Sequence, residues 1–192
     1  MRMNSQGLIR CFIAVDVCVP TIVEKILDIQ SKLETVGADI KFVEPHNLHL
    51  TLWFLGEITE QKLRQVMEAV KKVKFSKFNI NLKGLGYFPG GGRVNVIWVG
   101  VEDPSDTLRS IYLQLVKLLE PIGFRAEERE FTPHLTIGRV KSVKDKTRLL
   151  SLIKDVAHLD FGVQPVDRLF LKRSVLTQKG PIYSNLLAVE GE

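Results

Sequence analysis

Four histidines occur in the 192-residue chain. Two of them stand in nearly the same setting: His49 opens "HLTL", and His134 opens "HLTI" 85 positions later. Side chains two apart in an extended chain share a face. His49 and Thr51 therefore project one way while Leu48, Leu50 and Leu52 project the other, and His134 and Thr136 repeat this with Leu135 and Ile137 opposite. Each stretch offers one imidazole and one hydroxyl. An unperturbed imidazole has a pKa of about 6.5, so of two imidazoles one can be neutral and the other protonated at neutral pH. In-line chemistry at phosphorus needs such a pair: a base for the attacking oxygen and an acid for the departing one. Hydroxyls beside them can donate to the non-bridging oxygens. A single histidine in an apolar strand is more often a structural residue, but the duplication favours the chemical reading. His46, beside Pro45, has no counterpart because residue 131 is Phe, and it reads as a turn or rim residue. His158 lacks an accompanying Leu-Thr and reads as structural.

The elements that must position these residues follow from pattern. The β-branched, apolar stretch "LIRCFIAVDV" predicts a strand. "PTIVEKILDIQSKLETVG" predicts a helix opened by Pro20, carrying Ile22, Ile26, Ile29 and Leu33 at helical spacing and stopped by Gly37. Strands are expected at "DIKFVE" and "LHLTLWFLG", a helix at "TEQKLRQVMEAVKKV", and a half-buried strand at "KFNINLKGLGYF". The glycines of "PGGGR" read as a mobile connection. Beyond it come strand "VNVIWVGV", helix "SDTLRSIYLQLVKLLEPIG", strand "HLTIGRV", a helix near "KDKTRLLSLIKDV", and strands near "LDFGV", "DRLFLKRSVL" and "YSNLLAV".

The two halves align as a repeat. Residues 12–20 match 96–104, "HLTLWFLGEITEQKLRQVMEAV" matches "HLTIGRVKSVKDKTRLLSLIKD", and 78–88 match 161–171, at offsets of 84, 85 and 83. The expectation is one bilobal α+β domain over 1–192, of two pseudo-symmetric βαββαβ-like lobes with antiparallel sheets facing a central cleft. The repeats run over about 8–88 and 93–190, and the pseudo-twofold axis brings the histidines together.

Composition bounds the rest. A hydrophobic fraction of 45% and a charged fraction of 26% are ordinary for a globular protein. No apolar run approaches the roughly 20 residues that span a bilayer, and "CFIAVDVCV" reads as a buried strand, so a cytoplasmic protein without a membrane partner is expected. Cys11 and Cys18 are too few for a disulfide framework or a cysteine zinc site and read as small core or strand residues. The net charge of +5 suits an anionic partner such as nucleic acid.

With "HLTL" and "HLTI" in place, the chain resembles the 2H phosphoesterase superfamily, and within it the bacterial and archaeal 2′-5′ RNA ligases, or RNA 2′,3′-cyclic phosphodiesterases. The resemblance spans nearly the whole chain, including "RCFIAVD", "NLHLTLWFLGE", "GLGYFP" with "VIWVGV", and "FTPHLTIGRV". Residues 1–7 precede the family pattern and read as a flexible extension or an upstream start. The resemblance implies metal-independent, cofactor-free opening of RNA 2′,3′-cyclic phosphates to 2′-phosphomonoesters, with reversible 2′-5′ ligation of tRNA halves as a further activity, in a monomer. It implies His49 as proton donor to the departing 3′ oxygen and His134 as proton acceptor, with Thr51 and Thr136 on the phosphate.

Other substrate contacts are open. Arg139 matches a usually basic family position, yet strand alternation places it opposite His134 unless the strand bends at Gly138. Arg93 follows a glycine-rich loop that lacks the Gly-Lys-Ser/Thr ending of a P-loop. Phe131, Phe88, Tyr87 and Trp53 are candidates to stack on a base, with core packing as the plainer reading of each. Two rivals stand beside the enzyme. A non-catalytic RNA- or nucleotide-binding module would not need both His-x-Thr pairs. A metallohydrolase would need further ligands, and no H-x-x-x-H, H-x-E or Asp-rich cluster accompanies the histidines.

Overall fold

The computed structural model describes residues 7–126, 130–178 and 180–192. Nine strands are assigned among them: β1 Leu8–Asp16, β2 Ala38–Phe42, β3 His49–Thr59, β4 Phe78–Gly90, β5 Arg93–Glu102, β6 His134–Val143, β7 Asp160–Val166, β8 Arg168–Leu176 and β9 Pro181–Glu190. Four α-helices join them: α1 Pro20–Glu34, α2 Glu60–Val70, α3 Thr107–Leu119 and α4 Lys146–Asp155. The reading of residues 1–7 as an extension falls, for 1–6, outside the described residues.

Helix limits follow local chemistry. In α1, Pro20 occupies the first turn, and Ile22, Ile26, Ile29 and Leu33 are all fully buried along one stripe. Its exit passes Gly37 at φ 74, a left-handed conformation that costs a glycine nothing. Helix α2 is capped by the Thr59 hydroxyl, which accepts from the Lys62 N–H at 3.2 Å. Helix α4 is capped by Asp145, which accepts from the Arg148 N–H at 3.0 Å.

All strands pair antiparallel in the order β7-β4-β5-β6-β3-β1-β8-β9, with β2 added beside β6. The centre is thin: β3 and β6 meet at one pair, Leu50↔Leu135, both fully buried. These leucines are equivalent positions of the two motifs, so the pseudo-twofold axis passes between them. On one side stand β3, β1, β8 and β9; on the other β6, β5, β4 and β7.

The spatial lobes do not coincide with the sequence halves. β4 pairs with β5 and β7, whereas β8 and β9 join β1. Helices cross as well: α1 packs on β7, β2 and β6, while α3 packs on β3 and α2. The sheet order makes β8, not β7, the counterpart of β4. The third aligned block, 161–171, therefore runs through most of β7 into the start of β8, and the true counterpart of 78–88 lies in β8. Alternation is so alike among half-buried strands that a one-strand slip leaves the pattern nearly unchanged. The expected mobile connection "PGGGR" is also different: Gly90 pairs with Arg93 across a two-residue turn, Gly91–Gly92, with φ of 61° and 77°. Positive φ at both positions is the turn that matches strand twist in a tight hairpin.

Every residue of β1 from Cys11 to Val15 is buried, because helices cover one face and the concave cleft side is lined with rings. Cys11 is core, and burial pushes its thiol up to about 11. Cys18 departs from expectation: it is exposed where the chain leaves the sheet, with its N–H donating to Gln164 Oε1 at 3.0 Å. No helix among the described residues is long and apolar enough to cross a membrane.

Candidate functional site

The antiparallel pair Leu50↔Leu135 fixes the register of the two motifs. Counting outward from it, His49 comes abreast of Thr136 and Thr51 abreast of His134, all four on the face opposite the buried leucines. The imidazoles then occupy a ladder diagonal, a spacing of about 7–8 Å in a regular ladder. That leaves room for one tetrahedral phosphate between them. All four residues line a single cavity of about 850 Å³, together with Arg139, Tyr183, Asn47, Lys41 and Glu44.

Both rings are held in the same way. His49 Nδ1 lies 2.6 Å from the carbonyl oxygen of Asn47, and His134 Nδ1 lies 2.9 Å from that of Thr132. A carbonyl only accepts, so each Nδ1 carries a proton. Each Nε2 is then the nitrogen left to give or take a proton at the substrate. Aromatic neighbours fix the ring planes. His49 meets Phe12 at 4.8 Å and the edge of Tyr183 at 5.2 Å; His134 meets Phe88 edge-on at 5.0 Å and Trp98 at 6.4 Å. Burial lowers the His49 pKa, opposed by the backbone hydrogen bond and by Asp16. Burial likewise raises that of the Tyr183 hydroxyl.

Simple alternation would point Arg139 away from His134. The structure resolves this through a bulge. Trp98 pairs with Thr136 and Ile97 with Gly138, so Ile137 is the extra residue in β6, and Val96 then pairs with Arg139. One inserted residue flips the phase, which puts Arg139 on the face of Thr136, where it lines the cavity. The bulged carbonyl of Ile137 accepts from the Val43 N–H at 3.0 Å and from Gln30 Nε2 at 3.0 Å. Gln30 is buried, so a residue of α1 helps hold the bend that aims Arg139. β3 has the same bulge at Leu52, between the pairs Ala14↔Thr51 and Ile13↔Trp53. This brings Phe54 to the cleft face, where the Arg10 guanidinium lies 4.6 Å above its ring.

The other candidates separate from the cavity. Phe131 stacks on Tyr112 at 4.4 Å and 7°, and Tyr112 packs on Trp53, which is 7% exposed; both Phe131 and Trp53 therefore serve packing between α3 and β3. Arg93 ends the tight hairpin, with Nε donating to Asn95 Oδ1 at 3.3 Å. Neither Arg93 nor Phe131 lines the cavity. Tyr87 is partly buried against the core, and Phe88 serves as a wall of His134. His46 is at the rim, exposed in the 3₁₀ turn Pro45–Asn47. Sequence reasoning missed Tyr183, Phe12, Asn47 and Asp16. Their only sequence signal was position: Phe12 and Asp16 lie two and six places into "RCFIAVD", a block carried by the resemblance. Among the described residues, no group of three His, Cys, Asp or Glu side chains gathers as a metal site requires.

Comparisons with known proteins bear on the fold and the family. The model of the LigT like Phosphoesterase family matches twice, over residues 15–98 and 99–183. The RNA 2′,3′-cyclic phosphodiesterase of Archaeoglobus fulgidus is 40% identical over 184 residues, covering 94% of this chain and 99% of that protein. The protein of the same name from Methanothermobacter thermautotrophicus is 39% identical over 183 residues, covering 93% and 96%. The crystal structure of TT0787 of Thermus thermophilus superposes with a TM-score of 0.78 at 28% identity, covering 94% of this chain and 97% of that one. The duplicated match falls on the same two halves as the duplicated His-x-Thr motif, and this chain belongs to the LigT-like phosphoesterase family of the 2H superfamily.

Proposed function

We propose that this protein is an RNA 2′,3′-cyclic phosphodiesterase that opens the cyclic phosphate to a 2′-phosphomonoester by two-histidine acid–base catalysis. The observation that carries the reading is the mirrored pair of imidazoles, each with Nδ1 tied to a backbone carbonyl two residues upstream and both lining one cavity. The names of the relatives support the substrate, and the net charge of +5 suits an RNA backbone.

In this mechanism the cyclic phosphate sits between the rings. His134 Nε2 takes a proton from water as its oxygen bonds to phosphorus. His49 Nε2–H gives its proton to O3′ as the P–O3′ bond breaks. The phosphate stays on O2′. Thr51, Thr136 and Arg139 stabilise the charge on the non-bridging oxygens, the last as a charge-assisted donor. A 5′-hydroxyl in place of water would give a 2′-5′ junction by the same proton transfers, which is the ligase side of the reading. Its extension to tRNA halves as substrates, and to a monomer, rests on the family resemblance alone. No metal or cofactor enters.

The test is to incubate the purified protein with an RNA ending in a 2′,3′-cyclic phosphate in the presence of EDTA. The expected product is a 2′-phosphate end. A 3′-phosphate product would invert the assigned leaving oxygen. Abolition by EDTA with recovery on adding zinc or manganese would favour the metallohydrolase. Binding without turnover would favour the non-catalytic module. Arg139→Ala is expected to lower kcat/KM on this substrate by roughly 10–10²-fold, the worth of a charge-assisted hydrogen bond of about 1.5–3 kcal/mol. Arg139→Lys, which keeps the charge and loses the planar fork, is expected to recover part of it.

A further inference from the structure

The two motifs are symmetric, but their surroundings are not. In the ladder between β1 and β3, Asp16 is the direct partner of His49; in the equivalent ladder between β5 and β6, Gly100 is the direct partner of His134. Directly opposed residues share a face. In these ladders a carboxylate therefore stands directly beside His49, and a residue without a side chain stands directly beside His134. The backbone enforces this, because a Cβ on Gly100 would lie 2.5 Å from the Lys83 carbonyl oxygen. One strand further out, Lys172 is abreast of Phe12, while Phe88 is abreast of Val96. An ammonium on the His49 side thus replaces the ring that walls His134.

Lys172 is only 7% exposed. Its Nζ donates to Asp16 Oδ2 at 2.9 Å and to Asn185 Oδ1 at 2.9 Å. A buried ammonium is costly unless paired and hydrogen-bonded, so these three side chains hold one another in place. The two-histidine mechanism uses none of them directly. We propose that Asp16, clamped by Lys172 and Asn185, is a positioning residue that breaks the symmetry of the site by fixing a negative charge beside His49 alone, which fits His49 for the acid role. This rests on the function proposed above.

The groups facing His49 are Asp16 from β1, Lys172 from β8, Tyr183 from β9, and Arg139 with His134 from β6. Lys41, Glu34, Glu44 and His46 stand elsewhere on the cavity wall. Burial, Lys172 and Arg139 all disfavour a proton on His49, while Asp16 favours one, as does the backbone bond to Asn47. The signs are then opposite for the two partners of the ion pair. Removing Asp16 makes His49 harder to protonate, and removing Lys172 makes it easier.

The experiment is an NMR titration of the His49 and His134 imidazoles in the full chain, with Asp16→Asn, Lys172→Met and Lys172→Arg. The expected shift of the His49 midpoint is about 0.5–1 unit downward in Asp16→Asn and a similar amount upward in Lys172→Met, scaled down from a bare neighbouring charge because the site is partly solvated. His134 should not move, and Lys172→Arg should match the wild type. Turnover of a cyclic phosphate by Asp16→Asn should fall about 3–10-fold at neutral pH, the same shift expressed as a protonation ratio, and recover towards acid pH. If Lys172→Met does not fold, the sign in Asp16→Asn decides. An unmoved His49, or equal shifts of both histidines, would overturn the proposal. A wild type without phosphodiesterase activity would instead remove the proposed function and leave the titration result intact.

Discussion

Alanine in place of His49 or His134 is expected to lower turnover of a 2′,3′-cyclic phosphate by at least about 10²-fold, the ordinary worth of a positioned acid or base. The double variant should be little worse than either single one. Both imidazoles act in one transition state, and residues that act as a unit are non-additive. Thr51→Ala and Thr136→Ala should cost less, roughly 2–4 kcal/mol at most, as for one lost oxyanion donor. The pH–rate curve should be a bell with its maximum near neutrality, since one ring must be charged while the other is neutral. Burial lowers the His49 pKa, so the free protein protonates this ring less readily than an exposed histidine at the same pH. A bound phosphate anion would oppose that. RNA binding by the histidine variants should persist, because backbone contacts from Lys and Arg supply it. Steady-state kinetics with a synthetic cyclic-phosphate substrate decide the matter. Near-wild-type turnover in either histidine variant would return the scaffold to the class of binding modules.

Leu50→Ala and Leu135→Ala are each expected to destabilise the fold by about 2–5 kcal/mol, the range for a fully buried leucine truncated in a core that relaxes only in part. These two residues form the one paired position between β3 and β6 and are fully buried. The same pair fixes His49 abreast of Thr136. Activity should therefore fall even under conditions where the variant is folded, with the loss in kcat rather than in RNA affinity. Urea denaturation gives the first quantity and kinetics below the transition give the second. A loss of stability under about 1 kcal/mol, no more than a typical substitution costs, would mean that the helices and the β2–β6 ladder, not this joint, hold the lobes in register.

Several features were legible without coordinates because they depend on local repetition. Apolar spacing in 20–37 and a proline at its start specify α1 wherever it packs. Alternation around His49 and Thr51 specifies a two-faced strand, and its recurrence 85 residues later specifies a second. The near-constant offset told that the two faces are equivalent. What misled was also local. "PGGGR" reads as slack because glycine is permissive, yet the pairing of Gly90 with Arg93 makes it a tight turn. Phe131 stands in the sequence as a candidate to stack on a base, with core packing the plainer reading, and α3 decides for packing by placing Tyr112 flat against it.

The sequence by itself determined that this chain carries two copies of one strand–helix unit and that each copy presents a histidine and a threonine on one face. Side-chain alternation and helical periodicity are properties of the chain, and they needed no tertiary contact to be read. Only the tertiary structure decided which strands the lobes exchange, because pairing between distant segments depends on buried faces that alternation leaves degenerate. It alone decided that a bulge at Ile137, held by Gln30 from another element, turns Arg139 towards the histidines. It alone decided that Asp16 stands beside His49 while Gly100 stands beside His134. A duplicated motif makes the two sites alike; the neighbours that distinguish them come from strands far away in sequence, and only folding brings those neighbours together.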